Sequence, residues 1–536
     1  MKHWCIGLVL ALGCGSKSAV TGDDAPPAAD APIGVVDACA TCAGDTGTFV
    51  SVQKGADTNP GTKAMPFKTI GAGIAAAKAL GGAQTVYVAQ GTYPEKVTLA
   101  EGVDLGGGYE CNAGSCSWSR DLVMFESTIT NQDFEGVLAG PTITPATELV
   151  GFKVVGKDGV PPLAPGSVGI TVAGGSPTVR GNKIIGGTVT GGGAAAADRS
   201  IGIALRTTGT AAAVIENNDI TAGSAIGVSA ALSLEAISGV SSLATVNANV
   251  LRGGTARRSD GVMAFGAAAG TMLVNNDIIA GNSTNGASNG IEVASRMTID
   301  RNRINLDPSV GTCTMPTQWC AGIASVSATL TITNNVISGP KGPRTAGAFL
   351  TEQEIPGGLV ILNANYVTGG GSGGNPISAA RTESSAVVVS IGACANCGLN
   401  GQVGRVRNNI LDGGNNQNRY GVREDPAQGK TTRVELLEAN DIWFVGGLIG
   451  RIDTLYRQVT MGGNPIDTKS VILLNQMTVP PATLNLNDDP LINGTYHINA
   501  SSPCVNAGVS TEAPPIDFDG QTRPAGSAVD IGADEI

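Results

Sequence analysis

From residue 182 to residue 442 one short arrangement of apolar and polar positions keeps returning: an Asn, an aliphatic residue three places before it and another two places after it. The Asn positions are Asn182, Asn218, Asn249, Asn276, Asn302, Asn335, Asn365, Asn409 and Asn440, followed by Ile184, Ile220, Leu251, Ile278, Ile304, Ile337, Val367, Leu411 and Ile442. The preceding aliphatics are Val179, Ile215, Val246, Leu273, Ile299, Ile332, Leu362, Val406 and Leu437. A second pattern alternates with the first. Gly followed by an apolar residue opens a short strand at Gly169, Gly202, Gly227, Gly261, Gly290, Gly322, Gly347, Gly421 and Gly447. The Asn spacing varies from 26 (Asn276 to Asn302) to 44 (Asn365 to Asn409), which fits fixed strands joined by loops of variable length.

Strands this short cannot bury themselves, and no amphipathic helices lie between them to cover a flat parallel sheet. Coiling the chain so that each strand pairs with its equivalent one coil on solves the problem, at about 4.8 Å per coil. Parallel crossovers are right-handed, which sets the hand. The expected fold is therefore all-β, a right-handed parallel β-helix over residues 48–487. Asn at one fixed corner stacks into a ladder of amides and tolerates the left-handed backbone of a sharp bend, so the nine Asn are expected to be structural.

Composition agrees with small, close-set packing: charged residues are 14% and aromatics 4% of 536 residues, against 77 Gly. The net charge is −11 and no basic run exceeds Arg257–Arg258, which argues against nucleic acid as a partner. At the start, Lys2, the apolar run Ile6 to Leu12 and the tetrapeptide Ala11-Leu12-Gly13-Cys14 read as an export signal, residues 1–13. The tetrapeptide resembles a lipobox, which implies lipid on Cys14 and, with Gly15 behind it, delivery to the outer membrane. Residues 14–47 lack the apolar content to fold and suit a tether. In an exported chain the close pairs Cys39/Cys42, Cys111/Cys116, Cys313/Cys320 and Cys394/Cys397 are expected as disulfides; a four-thiolate zinc site from the two C-x-x-C pairs would have to bridge more than 350 residues. Cys504 is left as a small buried hydrophobe.

Both ends depart from the repeat. Residues 48–110 form an N-terminal cap in which Lys68 to Leu80 is expected to be a helix with Ile70, Ile74, Ala77 and Leu80 on one face. Gly55-x-Asp57-x-Asn59-Pro60-Gly61-Thr62, Pro66-Phe67-Lys68-Thr69-Ile70 and Gly91-Thr92-Tyr93-x-Glu95 resemble the opening of the pectin-lyase-like β-helix family of bacterial secreted proteins. Residues 488–536, with Asp489-Pro490, Ser502-Pro503-Cys504-x-Asn506-Ala507-Gly508, Asp517-x-Asp519-Gly520, Arg523 and Val529-Asp530-Ile531-Gly532-Ala533-Asp534-Glu535, resemble the C-terminal cap segment of such surface proteins. The resemblance implies the fold and leaves activity open, because that fold carries lyases, hydrolases and adhesins.

Candidate chemistry is sparse. The exported chain keeps one His, His497, through which any Ser-His-Asp mechanism must pass. Gly370-Gly371-Ser372-Gly373-Gly374 lacks the strand-to-helix elbow of a nucleophile, and Glu424 stands where a phosphate loop ending at Gly429-Lys430-Thr431 needs Gly. The family resemblance implies stacked carboxylates with a basic residue. Yet the second place after the strand-opening Gly runs Thr171, Ala204, Ser229, Met263, Glu292, Ala324, Phe349, Arg423, Ile449, without a carboxylate cluster. The richest sets are Arg381 with Glu383, Arg423 with Glu424 and Asp425, and Arg257 and Arg258 with Asp260. Arg381, Glu383, Arg423 and Asp425 are the catalytic candidates. Asp517, Asp519 and Asp530 are candidate calcium ligands, although an Asx-turn from the same residues needs no ion. The expected function is a cell-surface structural or binding β-helix lipoprotein, monomeric, with a glycan or surface protein as partner. The alternatives are a polysaccharide lyase or glycoside hydrolase acting on an extracellular glycan, and an effector or adhesin with one protein partner.

Overall fold

The computed structural model describes residues 46–161, 166–191, 198–208, 210–236, 239–307, 311–326, 329–351, 359–371, 382–390, 400–425, 431–445, 451–458 and 464–536. The export signal, Cys14, Cys39, Cys42, Ser372, Arg381, Cys394, Cys397 and Lys430 lie outside these described residues. Each coil has three strands: Thr178–Arg180, Lys183–Ile185 and Arg199–Thr207 make one turn, and Ala213–Glu216, Asp219–Thr221 and Val228–Leu234 the next. Equivalent strands pair in parallel, Val179 with Ile215, Ile184 with Ile220 and Ile203 with Leu232. Repetition stacks the strands into a first sheet of 14, a second of 12 and a third of 12, the right-handed parallel β-helix that the repeat predicts. The inward residues Val179, Ile184 and Ile203, like their counterparts in neighbouring coils, are fully buried. Each such side chain contributes about 1.5–3 kcal/mol by leaving water.

The ladder stands at the corner between the first and second sheets. Asn182 Nδ2 donates to Asn218 Oδ1 at 3.0 Å, and the same bond recurs at 2.9–3.1 Å through Asn440. It then runs on to Asn485 and Asn475. The left-handed backbone expected at these Asn belongs instead to the residue before each of them, as at Gly181, Asn217, Ala248, Arg301 and Ala439. The ladder Asn is selected by its amide: Nδ2 of Asn218 also donates to Val179 O and Glu216 O, so a bend that would leave carbonyls unpaired is closed by one side chain.

Apart from Gly227, which stands just before its strand Val228–Leu234, and Gly447, which lies outside the described residues, the glycine row sits inside the third-sheet strands, not at their start, as in Ser167–Gly174 and Arg258–Ala264. A Cβ on Gly261 would meet Ile278 Cγ2 at 2.6 Å, and one on Gly169 would meet Ile184 Cγ2 at 2.8 Å. The β-branched Ile or Val two places after the ladder Asn therefore dictates the glycine across the narrow core in these coils, and there the two sequence patterns are one packing constraint. Ala231 and Ala386 fill the same position in two coils.

At the N-terminal end the helix Ile70–Leu80 buries Ile70, Ile74 and Ala77 against the first coil. Leu80, expected on that face, is exposed, since the last turn overhangs the coil it covers. The family-like motifs build this cap. Asp57 accepts from the backbone of Lys68 and Thr69, and Glu95 accepts from Ile70 and Gly71, so two carboxylates hold the helix N-terminus. At the other end Leu474 and Ala482 join the apolar core. Residues 491–536 pack sideways on the second sheet: Ile498, Cys504, Ile531 and Ala533 cover its outward Val336, Tyr366 and Ile410. Asn334, Asn363 and Asn408 donate to Ile516 O, Glu512 O and Val509 O of this segment. Disulfides join Cys111 to Cys116 and Cys313 to Cys320, and Cys504 is a buried free thiol. Among the described residues no helix is long and apolar enough to cross a membrane.

Candidate ligand-binding face

The outer face of the third sheet carries the polar chemistry. The residue before each glycine and the second residue after it both turn away from the core: Val168, Ile201, Ala204, Ala230 and Met263 form an apolar patch of their own there. Two outward rows, where the sequence reading used one, bring carboxylates together after all. Asp260, before Gly261, and Glu292, after Gly290, share the same two donors. Arg258 Nε lies 3.0 Å from Asp260 Oδ2 and 2.7 Å from Glu292 Oε2. Asn289 Nδ2 donates to Asp260 Oδ1 at 3.1 Å and to Glu292 Oε2 at 3.3 Å. Burial, reinforced by the Asp260 charge, pushes the Glu292 carboxyl up to about 8, and burial also raises Asp260 against the pull of Arg258. One member of the pair thus keeps a proton at neutral pH, the state of a general acid. Arg257, the other residue of that set, is not part of this group.

Further along the same sheet Glu383, Arg423 and Asp425 converge as the sequence grouping expects. Arg423 Nη1 is 2.9 Å from Glu383 Oε1, and Arg423 Nη2 is 3.7 Å from Asp425 Oδ1. Glu424 does not belong with them: it points into the core and accepts from the Tyr456 hydroxyl at 2.8 Å, because successive strand residues face opposite ways. Two residues absent from the sequence grouping complete the cluster. Arg344 Nη2 donates to Asp425 Oδ1 at 3.0 Å, and Trp319 Nε1 donates to Asp425 Oδ2 at 2.8 Å. The Arg344 and Arg423 guanidinium carbons lie 4.4 and 5.3 Å from the Trp319 ring. Tyr420 is flanked by Arg423 at 5.0 Å and Arg457 at 4.7 Å. Five consecutive coils thus present stacked cations, rings and carboxylates in one strip. A separate cavity of about 360 Å³ lies near the ends of the second-sheet strands, lined by Asn305, Ser338, Lys341, Thr368, Asp412 and Asn415.

The three calcium candidates are not assembled around one point. Both oxygens of Asp517 accept backbone N–H groups, from Asp519 and Gln521 on one and from Glu535 on the other. Asp530 accepts likewise from Asn506 and Ile536. Asp519 faces His497 instead.

Strand order and register define the class of molecule, a right-handed parallel β-helix. No family model matches the chain, and no curated protein matches it. Among solved structures it is similar to a pectate lyase (Pel9A), at 12% identity over 92% of this chain and 97% of that one, TM-score 0.35. It is also similar to a GH87 alpha-1,3-glucanase catalytic unit from Streptomyces thermodiastaticus, at 16% identity over 80% and 72%, TM-score 0.41. A third likeness is to XylC in complex with xylose, at 9% identity over 91% and 98%, TM-score 0.37. Likeness at this level says nothing about activity.

Proposed function

We propose that the chain is a surface β-helix that binds an extracellular polysaccharide, held to the outer membrane by lipid on Cys14. The observation that supports binding is the strip of Trp319, Arg344, Glu383, Arg423 and Asp425. Its arginines are stacked on aromatic rings and paired with carboxylates, so their donors are held in place before a ligand arrives. Coils spaced by about 4.8 Å repeat those donors and acceptors along the axis, which suits a polymer of hydroxyl-rich units lying lengthwise. Affinity electrophoresis against soluble glycans tests this reading. Retardation of the wild type that is lost in Arg344→Ala and Arg423→Ala, with melting little changed, is the expected result; retardation unaffected by both substitutions would refute it. For the anchor, Cys14→Ser is expected to release the protein from the membrane fraction together with loss of acyl mass.

A second reading, a lyase or glycoside hydrolase, is favoured by Glu292, whose carboxyl is raised by burial and by the Asp260 charge beside it. Cleavage of a glycan that disappears in Glu292→Gln while binding persists would establish it.

A further inference from the structure

We propose that His497, Asp519 and Asp534 in the C-terminal segment form a binding site for a divalent transition-metal ion of zinc-like chemistry. A ligand atom from each of the three lies within 4.8 Å of the other two. They come from three separate stretches: a turn bridged by Ile492 and Ile498, a turn bridged by Ile516 and Thr522, and the last residues of the chain.

The hydrogen bonds around His497 fix which nitrogen faces the site. Asn493 Oδ1 accepts from the backbone of Thr495 and His497 and, at 2.7 Å, from the Thr495 hydroxyl. That hydroxyl has one proton, already given to Asn493, so its oxygen can only accept from His497 Nδ1, 2.9 Å away. The proton of a neutral imidazole therefore sits on Nδ1, and Nε2 presents a lone pair. Nε2 lies 2.6 Å from Asp519 Oδ2. A lone pair and a carboxylate oxygen facing each other call for a positive charge between them, which a proton on Nε2 or, in its place, a metal ion supplies. The Thr495–His497 contact is then the outer bond that orients a metal-ligating imidazole.

A second observation points the same way. Asp534 is only 3% exposed, and while its Oδ2 accepts from Ile498 N at 2.9 Å, its buried Oδ1 has no hydrogen-bond partner. A buried carboxylate oxygen without a donor, beside a histidine lone pair and a second carboxylate, lacks only the cation. One imidazole nitrogen with carboxylate oxygens selects transition ions over calcium or magnesium, which prefer oxygen alone. His497 and Asp519 side chains are each 22% exposed, which leaves a path for the ion and a coordination position for water.

The test uses the untagged full chain, thiols blocked and stripped with a chelator, titrated with Zn²⁺ by calorimetry. One equivalent should bind and raise the melting temperature. His497→Gln, at a half-buried position, and Asp519→Asn, at an exposed one, should each weaken binding at least about 10-fold, and Thr495→Val by about 10–100-fold, the effect of losing an outer-shell partner. Co²⁺ on the wild type gives a readout that needs no variant: visible d–d absorption is expected. Zinc that binds the variants as tightly as the wild type, a wild type without cobalt bands, or calcium bound as tightly as zinc would each overturn the proposal.

Discussion

Burial and the Asp260 charge act in the same direction on Glu292, whose carboxyl titrates near pH 8 in the folded chain and near about 4.3 once unfolded. Between those values the folded state holds a proton that the unfolded state releases. The contribution of this carboxyl to stability is therefore full below about pH 4.3 and falls as pH rises through about 8. Glu292→Gln removes the titration, so its stability relative to the wild type should increase steadily from about pH 5 to about pH 8. Urea unfolding at several pH values checks this, and parallel curves for the two proteins would refute it. Glu383, Arg423 and Asp425 were legible as a group because charge is scarce in this chain, at 14% of residues. Arg344 and Trp319 were not, because register depends on loop length. Arg344 and Glu383 are in register at a separation of 39 residues, Glu383 and Asn418 at 35. Asp260 was missed as a partner of Glu292 for a related reason: the glycine bend turns two rows outward, and period-two reasoning follows only one.

The coil is the element that matters for stability, and its corner is the most demanding part of it. Asn335 Nδ2 donates to Asn365, Ile299 O and Thr333 O, and its Oδ1 accepts both N–H groups from Asn302. Asn335→Leu should therefore cost at least about 1–3 kcal/mol, with fraying confined to the adjoining coils because each coil touches only its neighbours. Asn182→Leu should cost less, since above it Asn182 Oδ1 accepts only from Phe152 N. Hydrogen exchange at both places checks the contrast; equal protection in the two variants would contradict it. Strands and ladder were readable in the sequence because every coil repeats the same need for an amide. Asn485 escaped that reading because Asn487, not an aliphatic residue, stands two places after it. The helix was visible from its apolar face, but its true start at Ile70 follows from Thr69, whose hydroxyl accepts from Ala72 N.

For the molecule as a whole, the ends were recognisable as departures from the repeat, yet their placement was not. Nothing in the motifs around Asp517 and Arg523 says which surface they meet; the outward Val336, Tyr366 and Ile410 decide it. Arg523 is buried and donates to the carbonyls of Asp530, Gly532, Ala533 and Asp534, which ties the last residues into a closed unit. That arrangement gives the chain a defined order of mechanical failure. Tension applied at the C-terminus should peel residues 491–536 off the flank of the solenoid like tape, one contact at a time. The coils, each held by three sets of strand hydrogen bonds, should stay wound. In an optical trap the first extension should be about 150 Å, the length of 46 stretched residues, before any coil opens. A first rip the size of a single coil would show that the flank is held more firmly than the helix it lies on.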